Sequence, residues 1–264
     1  FVIQTTDPNQ TGATAVSVEL DIKALAKYLS GTYAGEINRD PVDAQVGWDV
    51  DKGELIAVEA SVQGVKIKPS SFAQAVAGSF FGGHDDVEVP VSFIAPQVDS
   101  NNLDALGITT KLAVGDSAYY GSDAGRATNI EVGANLLNGA LIPPGGEYSF
   151  NRSVGVISLE SGFVEGAVIE AARVGRDVGG GICQVSTTVF RAALLAGLEI
   201  TEWWPHSYRL SFYELDGWDP GIDASILQPE GDPFGGGDFQ FRNPTDSWML
   251  VESYTANERV YVIL

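Results

Sequence analysis

The sequence predicts an α+β protein of two domains: a small α+β domain over 1–102, then a mixed domain over 103–264 in which a buried helix packs on an antiparallel sheet. Three observations predict it. Thirty-one glycines and 12 prolines in 264 residues cut the chain into short elements and argue against a helical bundle. Runs with apolar residues at helical spacing stand among runs that alternate with period two. A hydrophobic fraction of 44% is enough to bury a real core.

A polar lead-in covers 1–15. Residues 16–20 alternate apolar and polar and predict a strand. Asp21 is placed to cap a helix over 22–29, where Ile22, Leu25, Ala26 and Leu29 share a face, and Gly31 is expected to stop it. Short strands follow over 44–48, 55–60 and 65–67, the first two joined by a turn over 49–53. Ser70 or Ser71 is expected to cap a second helix over 72–80, ended by Gly82 and Gly83. Residues 87–93 alternate around Pro90 and predict an edge strand, because proline has no N–H for a central ladder. The Pro-, Asp- and Asn-containing stretch 96–102 marks the expected boundary.

Beyond it, strands are expected over 109–113 and 117–120, then a helix over 126–137 stopped by Gly139. A rigid Pro143-Pro144-Gly145-Gly146 turn precedes short strands over 148–151 and 164–170. The clearest helix spans 184–196. Val185, Val189, Ala192, Ala193 and Ala196 leave it little polar surface, so it is predicted to be buried, with Gly197 closing it. Strands over 200–204 and 208–213, a hairpin loop over 216–221, and strands over 224–227, 239–242, 248–254 and 260–264 complete the chain.

Thirty-five acidic against 15 basic residues give a formal charge of −20, which repels phosphate backbones and excludes nucleic acid as a partner. A single cysteine excludes an internal disulfide framework, which suits the cytosol and many bacterial envelope proteins alike. No run of 18 apolar residues is present, so no spanning helix is predicted. The chain starts at Phe1 without an initiator Met; it is expected to be processed or truncated, with membrane attachment only through a segment outside it.

The one cysteine sits in the run Gly179-Gly180-Gly181-Ile182-Cys183-Gln184-Val185-Ser186-Thr187-Thr188, between three glycines and the clearest helix. A thiol there meets the positive end of a helix and free backbone N–H groups, an environment that favours the reactive thiolate. His206 and Asp223 follow in an order that makes a nucleophile, a base and an orienter. A second reading stays open beside it: the glycines only let the helix pack tightly on a sheet, and Cys183 is a small core residue.

The runs Thr128-Asn129-Ile130, Asn138-Gly139, Pro144-Gly145, Phe150-Asn151, 179–188, Pro205-His206-Ser207 and Asp223-Ala224 together resemble the VanW-like family, in order, over about 106–264. The region before them resembles the peptidoglycan-binding domain that precedes VanW-like and some L,D-transpeptidase domains. The resemblance implies a bacterial, exported, envelope-associated protein. It makes Arg126, Asn129 and Asn151 motif positions, and so substrate-binding candidates beside Gln184, Ser186 and Trp204. Two features depart from the family: Trp203-Trp204 stand where it tends to have a charged pair, and the 216–221 loop is longer than usual.

The expected function is therefore binding or modification of peptidoglycan or another surface glycan. Its enzymatic form is a cysteine-dependent acyl transferase or peptidase, with Cys183, His206 and Asp223 as the catalytic set; Gln184 or a backbone N–H of the glycine run helps hold an oxyanion. The alternatives are a non-catalytic wall-binding module and a self-assembling structural surface subunit with exposed strand edges. Trp203, Trp204, Trp218 and Tyr208 offer aromatic faces that suit sugars, and equally suit a core. Asp216, Asp219 and Asp223 share one loop without EF-hand spacing, and His84-Asp85-Asp86 reads as a solvated turn, so no metal and no cofactor is expected. No P-loop and no G-x-S-x-G elbow is present.

Overall fold

The computed structural model describes residues 2–6, 16–170 and 173–264. The lead-in expected over 1–15 lies outside them except for β1 (Val2–Thr6), which pairs antiparallel with β2 (Val16–Leu20). Then follow α1 (Ile22–Ile37), the paired strands β3 (Gln45–Asp49) and β4 (Glu54–Glu59), β5 (Gly64–Ile67), α2 (Pro69–Gly82) and β6 (Val91–Ile94). By contacts the chain falls into two compact units. One is Phe1–Gln45 with Glu59–Asn102; the other is Val46–Val58 with Leu103–Leu264, so most of the β3–β4 hairpin groups with the later residues.

In the first unit α1 packs on α2 and on β5, burying Ala26, Leu29, Ile67, Phe72 and Ala73. Asp21 caps α1 as expected, its carboxylate accepting the Ala24 N–H at 3.0 Å. Gly31 does not stop the helix. Nothing lies within 4 Å of where its Cβ would be, and α1 runs on to Ile37, where Asn38 leaves helical geometry and its side chain accepts the Ile67 N–H. Serine does not cap α2 either: Lys68 holds that position and Pro69 opens the helix, its missing N–H being no loss there. The edge strand is shorter than expected and starts after Pro90.

The second unit continues with β7 (Val114–Ala118), α3 (Ala124–Leu137), β8 (Ala140–Ile142), β9 (Glu147–Ser149), α4 (Phe150–Val154), β10 (Glu165–Glu170), β11 (Arg173–Val178), α5 (Ile182–Leu195), β12 (Glu199–Glu202), β13 (Gln240–Arg242), β14 (Met249–Ala256) and β15 (Arg259–Ile263). A four-stranded antiparallel sheet has the order β7-β15-β14-β8, and a three-stranded antiparallel sheet the order β12-β13-β9. The mixed α+β class holds, with five helices among the described residues. Helix α5 packs on β7 and β15 and is buried from Gln184 through Ala193, as its apolar pattern predicts. Gly197 follows it with φ +69. Among the described residues no helix is long and apolar enough to cross a membrane.

Three expected strands are absent, and a fourth is cut short. Residues 109–113 reach the sheet only through backbone bonds from Leu112 and Ala113 to Leu264. Residues 208–213 lead into a 3-10 turn, Ser211–Gly217, and 224–227 has no ladder. The end of the 148–151 strand is instead the first turn of α4, capped by Ser149. In each case the alternating apolar residues are real, but they sit on irregular or helical backbone without a partner ladder; Tyr213 and Ala224 are buried while Leu112, Tyr208 and Leu227 are exposed. Where α5 crosses β7, a Cβ on Gly115 would lie 2.6 Å from the Ala192 nitrogen and closer still to the Thr188 carbonyl. Gly115→Ala is therefore expected to destabilise by about 1–3 kcal/mol, whereas Gly31→Ala, on an open helix surface, is expected to stabilise by about 0.5–1 kcal/mol; chemical denaturation of the two variants checks both signs.

Candidate active site

The glycine run builds the start of α5. Gly179 and Gly181 have φ of +84 and +108, which L side chains resist. Gly180 lies against strand β10: a Cβ there would sit 2.6 Å from the Gly166 carbonyl and 2.7 Å from the Ala167 carbonyl oxygen. A Cβ on Gly181 would sit 2.8 Å from the Cγ of Arg126. Backbone thus touches backbone, and the helix begins two residues earlier than its apolar pattern suggests. Cys183 becomes the second residue of α5, inside the first turn. That turn carries the positive end of the helix dipole; its Ile182 and Gln184 N–H groups donate to the Gly179 and Gly181 carbonyls at 3.0 Å. The sulfur is partly exposed and lies 3.9 Å from the Ile226 carbonyl oxygen.

His206 and Asp223 lie in irregular segments rather than at the strands expected for them. They are brought together nonetheless. Oδ2 of Asp223 is 2.5 Å from Nδ1 of His206 and also accepts the His206 backbone N–H at 2.9 Å. With Nδ1 occupied by Asp223, Nε2 is the ring nitrogen left over, and Cys183 is near enough to favour the charged ring. Burial of the ring opposes its charged form; the hydrogen bonds to Asp223 and Cys183 outweigh burial and push the His206 pKa up to about 9. Burial likewise works against the Asp223 carboxylate, but His206, its backbone N–H and Arg191 hold the pKa below the usual value.

Two further residues stand at the sulfur. Arg126, in the first turn of α3, reaches across Gly181; its charge and that of Cys183 interact. Tyr213 stacks on His206 with ring centroids 5.2 Å apart, and burial pushes its hydroxyl far up, so it stays neutral. Sequence reasoning missed Tyr213 because it reads as the end of a strand. Its signal is only the aromatic cluster Tyr208, Phe212, Tyr213 close after the histidine.

The other candidates separate. Gln184 is fully buried: it accepts from Arg126 through Oε1, and Nε2 donates to the Ser117 hydroxyl and the Ala118 carbonyl. Asn129 is fully buried and clamps two loops, donating to Val164 O and Gly180 O at 2.9 Å and accepting the Val164 N–H at 2.8 Å. Asn151 ties Gly237 O at 3.1 Å to the start of α4. Ser186 is fully buried, and its hydroxyl has no hydrogen-bond partner. These four, expected as substrate-binding residues, are all buried: Gln184, Asn129 and Asn151 tie neighbouring segments together, and the Ser186 hydroxyl does not. Trp203 donates to the Asp223 carbonyl at 2.7 Å and stacks on Phe190, so it is a strut; Trp218 lies under the Arg191 guanidinium. Trp204 and Tyr208 keep exposed faces. Among the described residues no three His, Cys, Asp or Glu side chains converge to hold a metal; Asp223 is committed to His206, and the side chain of Asp216 lies outside the described set.

The residues that build this site all fall within 125–264, just over half the chain, and that stretch matches the family described as VanW like protein. The chain belongs to the VanW-like family. It is similar to the uncharacterized protein YoaR of Bacillus subtilis (strain 168), 29% identical over 219 residues that make up 83% of this chain and 66% of YoaR. It is also similar to the vancomycin B-type resistance protein VanW of Enterococcus faecalis (strain ATCC 700802 / V583), 29% identical over 140 residues, 50% of this chain and 48% of that protein. The chain thus spans less than two thirds of either relative. No solved structure matches it.

In this VanW-like chain the His206–Asp223 pair makes stability depend on pH. The folded value of His206, about 9, stands above its ordinary 6.5, so its contribution is complete below about pH 6.5 and is lost as pH rises through about 9. Asp223 lies below its ordinary 3.8, so its contribution is complete above that pH and is lost as pH falls through the lower folded value. The pair's contribution is thus expected to be full between those limits and to decline toward pH 9, read by denaturation at a series of pH values. Asp223→Asn is expected to return the His206 titration, followed by NMR, toward 6.5.

Proposed function

We propose that this protein is a cysteine-dependent acyl transferase or peptidase of the bacterial cell envelope, acting on amide bonds of peptidoglycan or a related surface polymer. The observation that carries the reading is His206, held by the Asp223 carboxylate through Nδ1 and its backbone N–H, with its charge favoured by the neighbouring Cys183 in the first turn of a buried helix. A nucleophile, a base and an orienter in that relation are the parts of acyl transfer through a thioester.

The chemistry follows from the geometry. The Cys183 sulfur attacks the carbonyl carbon, and the Cys183 N–H, between the Ile182 and Gln184 N–H groups bonded to Gly179 and Gly181, is the backbone donor for the negative charge that develops on its oxygen. As the carbon–nitrogen bond breaks, imidazolium of His206 gives its proton to the leaving amine. An amine or water then attacks the thioester and yields its proton to His206, and the sulfur leaves. Asp223 keeps the ring in one tautomer throughout and stays ionised. The exposed faces of Trp204 and Tyr208 suit the glycan part of such a polymer.

The wall as substrate rests on the kinship with a protein named for vancomycin resistance. The division of labour is part of the proposal: residues 1–102 bind peptidoglycan and 103–264 carry the chemistry.

Cys183→Ala is expected to abolish release or transfer of stem-peptide residues from purified muropeptides, read by mass spectrometry, while the melting temperature stays close to that of the parent. Iodoacetamide is expected to label Cys183 faster than it labels free cysteine at pH 6.5. Sedimentation of the full chain with purified sacculi is expected to survive Cys183→Ala; a protein that sediments but neither turns over nor labels is a binding module and not an enzyme.

A further inference from the structure

The guanidinium of Arg126 is a charge without a counter-charge of its own. Nη1 donates to the Ser122 hydroxyl at 2.5 Å, Nη2 donates to the Gln184 amide oxygen, and its Cζ lies 5.2 Å over the Phe212 ring. All three partners are neutral. The nearest acid in the helix is Asp123, whose carboxylate is spent on capping α3 through the Gly125 and Arg126 N–H groups and lies 3.8 Å from Arg176. Burial lowers the Arg126 pKa, with Tyr213, Asp123 and Cys183 opposing it, yet an arginine keeps its proton in proteins. A partly buried cation therefore stands beside Gly181, two residues before Cys183.

The charge balance at the sulfur sharpens this. Asp223 already answers the charge on His206. Arg126 has only neutral hydrogen-bond partners, and an acylated sulfur carries no charge to set against it; a partly buried cation left so is costly unless an anion is supplied. We infer that Arg126 is a specificity-determining residue that binds the free carboxylate of the substrate, so that the acyl donor is a peptide cleaved next to its carboxyl terminus. The carbon–nitrogen bond to the terminal residue breaks, its nitrogen takes the proton from His206, and a free amino acid leaves. A planar guanidinium suits a carboxylate, and its nitrogens keep N–H groups beyond the two given to Ser122 and Gln184; Gly181 provides the gap through which Arg126 reaches. This rests on the proposed acyl-transfer reading.

The test compares iodoacetate with iodoacetamide as alkylating agents of Cys183, at pH 7 and at pH 10, in the full chain. The ratio of the two rates is expected to exceed that of free glutathione under the same conditions, against the repulsion of a protein of charge −20. Part of the excess at pH 7 belongs to His206; the part that survives at pH 10 belongs to Arg126. Arg126→Gln is expected to lower the ratio about tenfold, with Arg126→Lys between them. N-acetylglycine is expected to slow labelling of the parent by iodoacetamide and N-acetylglycinamide to leave it unchanged, an arm that needs no variant. Fast labelling by iodoacetamide with no excess for iodoacetate at pH 10 and no protection by N-acetylglycine overturns the carboxylate site and leaves the cysteine chemistry standing. No labelling by either reagent overturns both.

Discussion

The second unit depends on helix α5 lying closer to its neighbours than side chains ordinarily permit. Its middle presses on β7 at Gly115, and a Cβ on Gly133 of α3 would meet the Ile182 and Val185 side chains. Its start presses on β10, where Gly180 and Gly166 meet face to face. Such contacts bring well-packed apolar surface together at the expense of any tolerance for volume. They also decide where the sulfur stands. A side chain at position 180 or 181 would push the first turn away from β10 and α3, and Cys183 would no longer face residues carried by other segments. The packing constraint and the site are one arrangement.

The segments that carry His206 and Asp223 have little regular secondary structure, so backbone ladders do not hold them. Buried polar side chains of α5 do. Arg191 donates to the carbonyls of Asp116, Tyr213 and Ile222. Thr187 accepts the Ala224 N–H at 3.0 Å, and its hydroxyl faces the Ala224 carbonyl. Asp238 accepts the Asn151 N–H at 2.9 Å and the hydroxyl of Ser149, and Glu202 in turn accepts the Asp238 N–H. A buried polar group left without a partner is expensive, and each of these therefore fixes a loop in one position. The helix thus serves twice. Its first turn presents the sulfur, and its later turns pin the loops that present the base and its orienter. This is how irregular chain holds two side chains at hydrogen-bond distance.

Much of this was legible in the sequence, and the part that was not has a physical cause. Helix α5 and its burial follow from one period, because Val185, Val189, Ala192 and Ala193 leave only one reading. The caps at Asp21 and Gly197 follow from local chemistry alone. The segments 208–213 and 224–227 were misread because Tyr208, Leu210 and Phe212 alternate as strand residues do; what decides is whether a partner ladder exists, and alternation cannot supply that. Asn129, Asn151, Gln184 and Ser186 were picked out as motif residues near the cysteine. They are polar and central, but motif membership does not say which neighbours a side chain meets: Asn129 and Asn151 meet backbone carbonyls, Gln184 meets Arg126, and the Ser186 hydroxyl is buried without a partner. Tyr213 was invisible for the opposite reason: an aromatic residue in a loop carries no mark of the imidazole it will stack upon.

The whole molecule is strongly negative, whereas the site gathers charged groups of both signs, and that contrast bears on what the site can bind. A formal charge of −20 lies mostly on solvated side chains, where salt screens it beyond about 8–10 Å. Around the sulfur the balance is different. Arg126 and His206 bring two cations into a partly buried space, and Asp223 is the one carboxylate hydrogen-bonded into it. Interactions there act through a lower dielectric and are screened least, so at contact distance they outweigh the surface field. An anion reaching this site is disfavoured at long range and favoured at short range. Such a profile slows encounter and rewards a close fit, so discrimination among anionic ligands falls to whichever can place a negative oxygen at the guanidinium while its reacting carbon meets the sulfur.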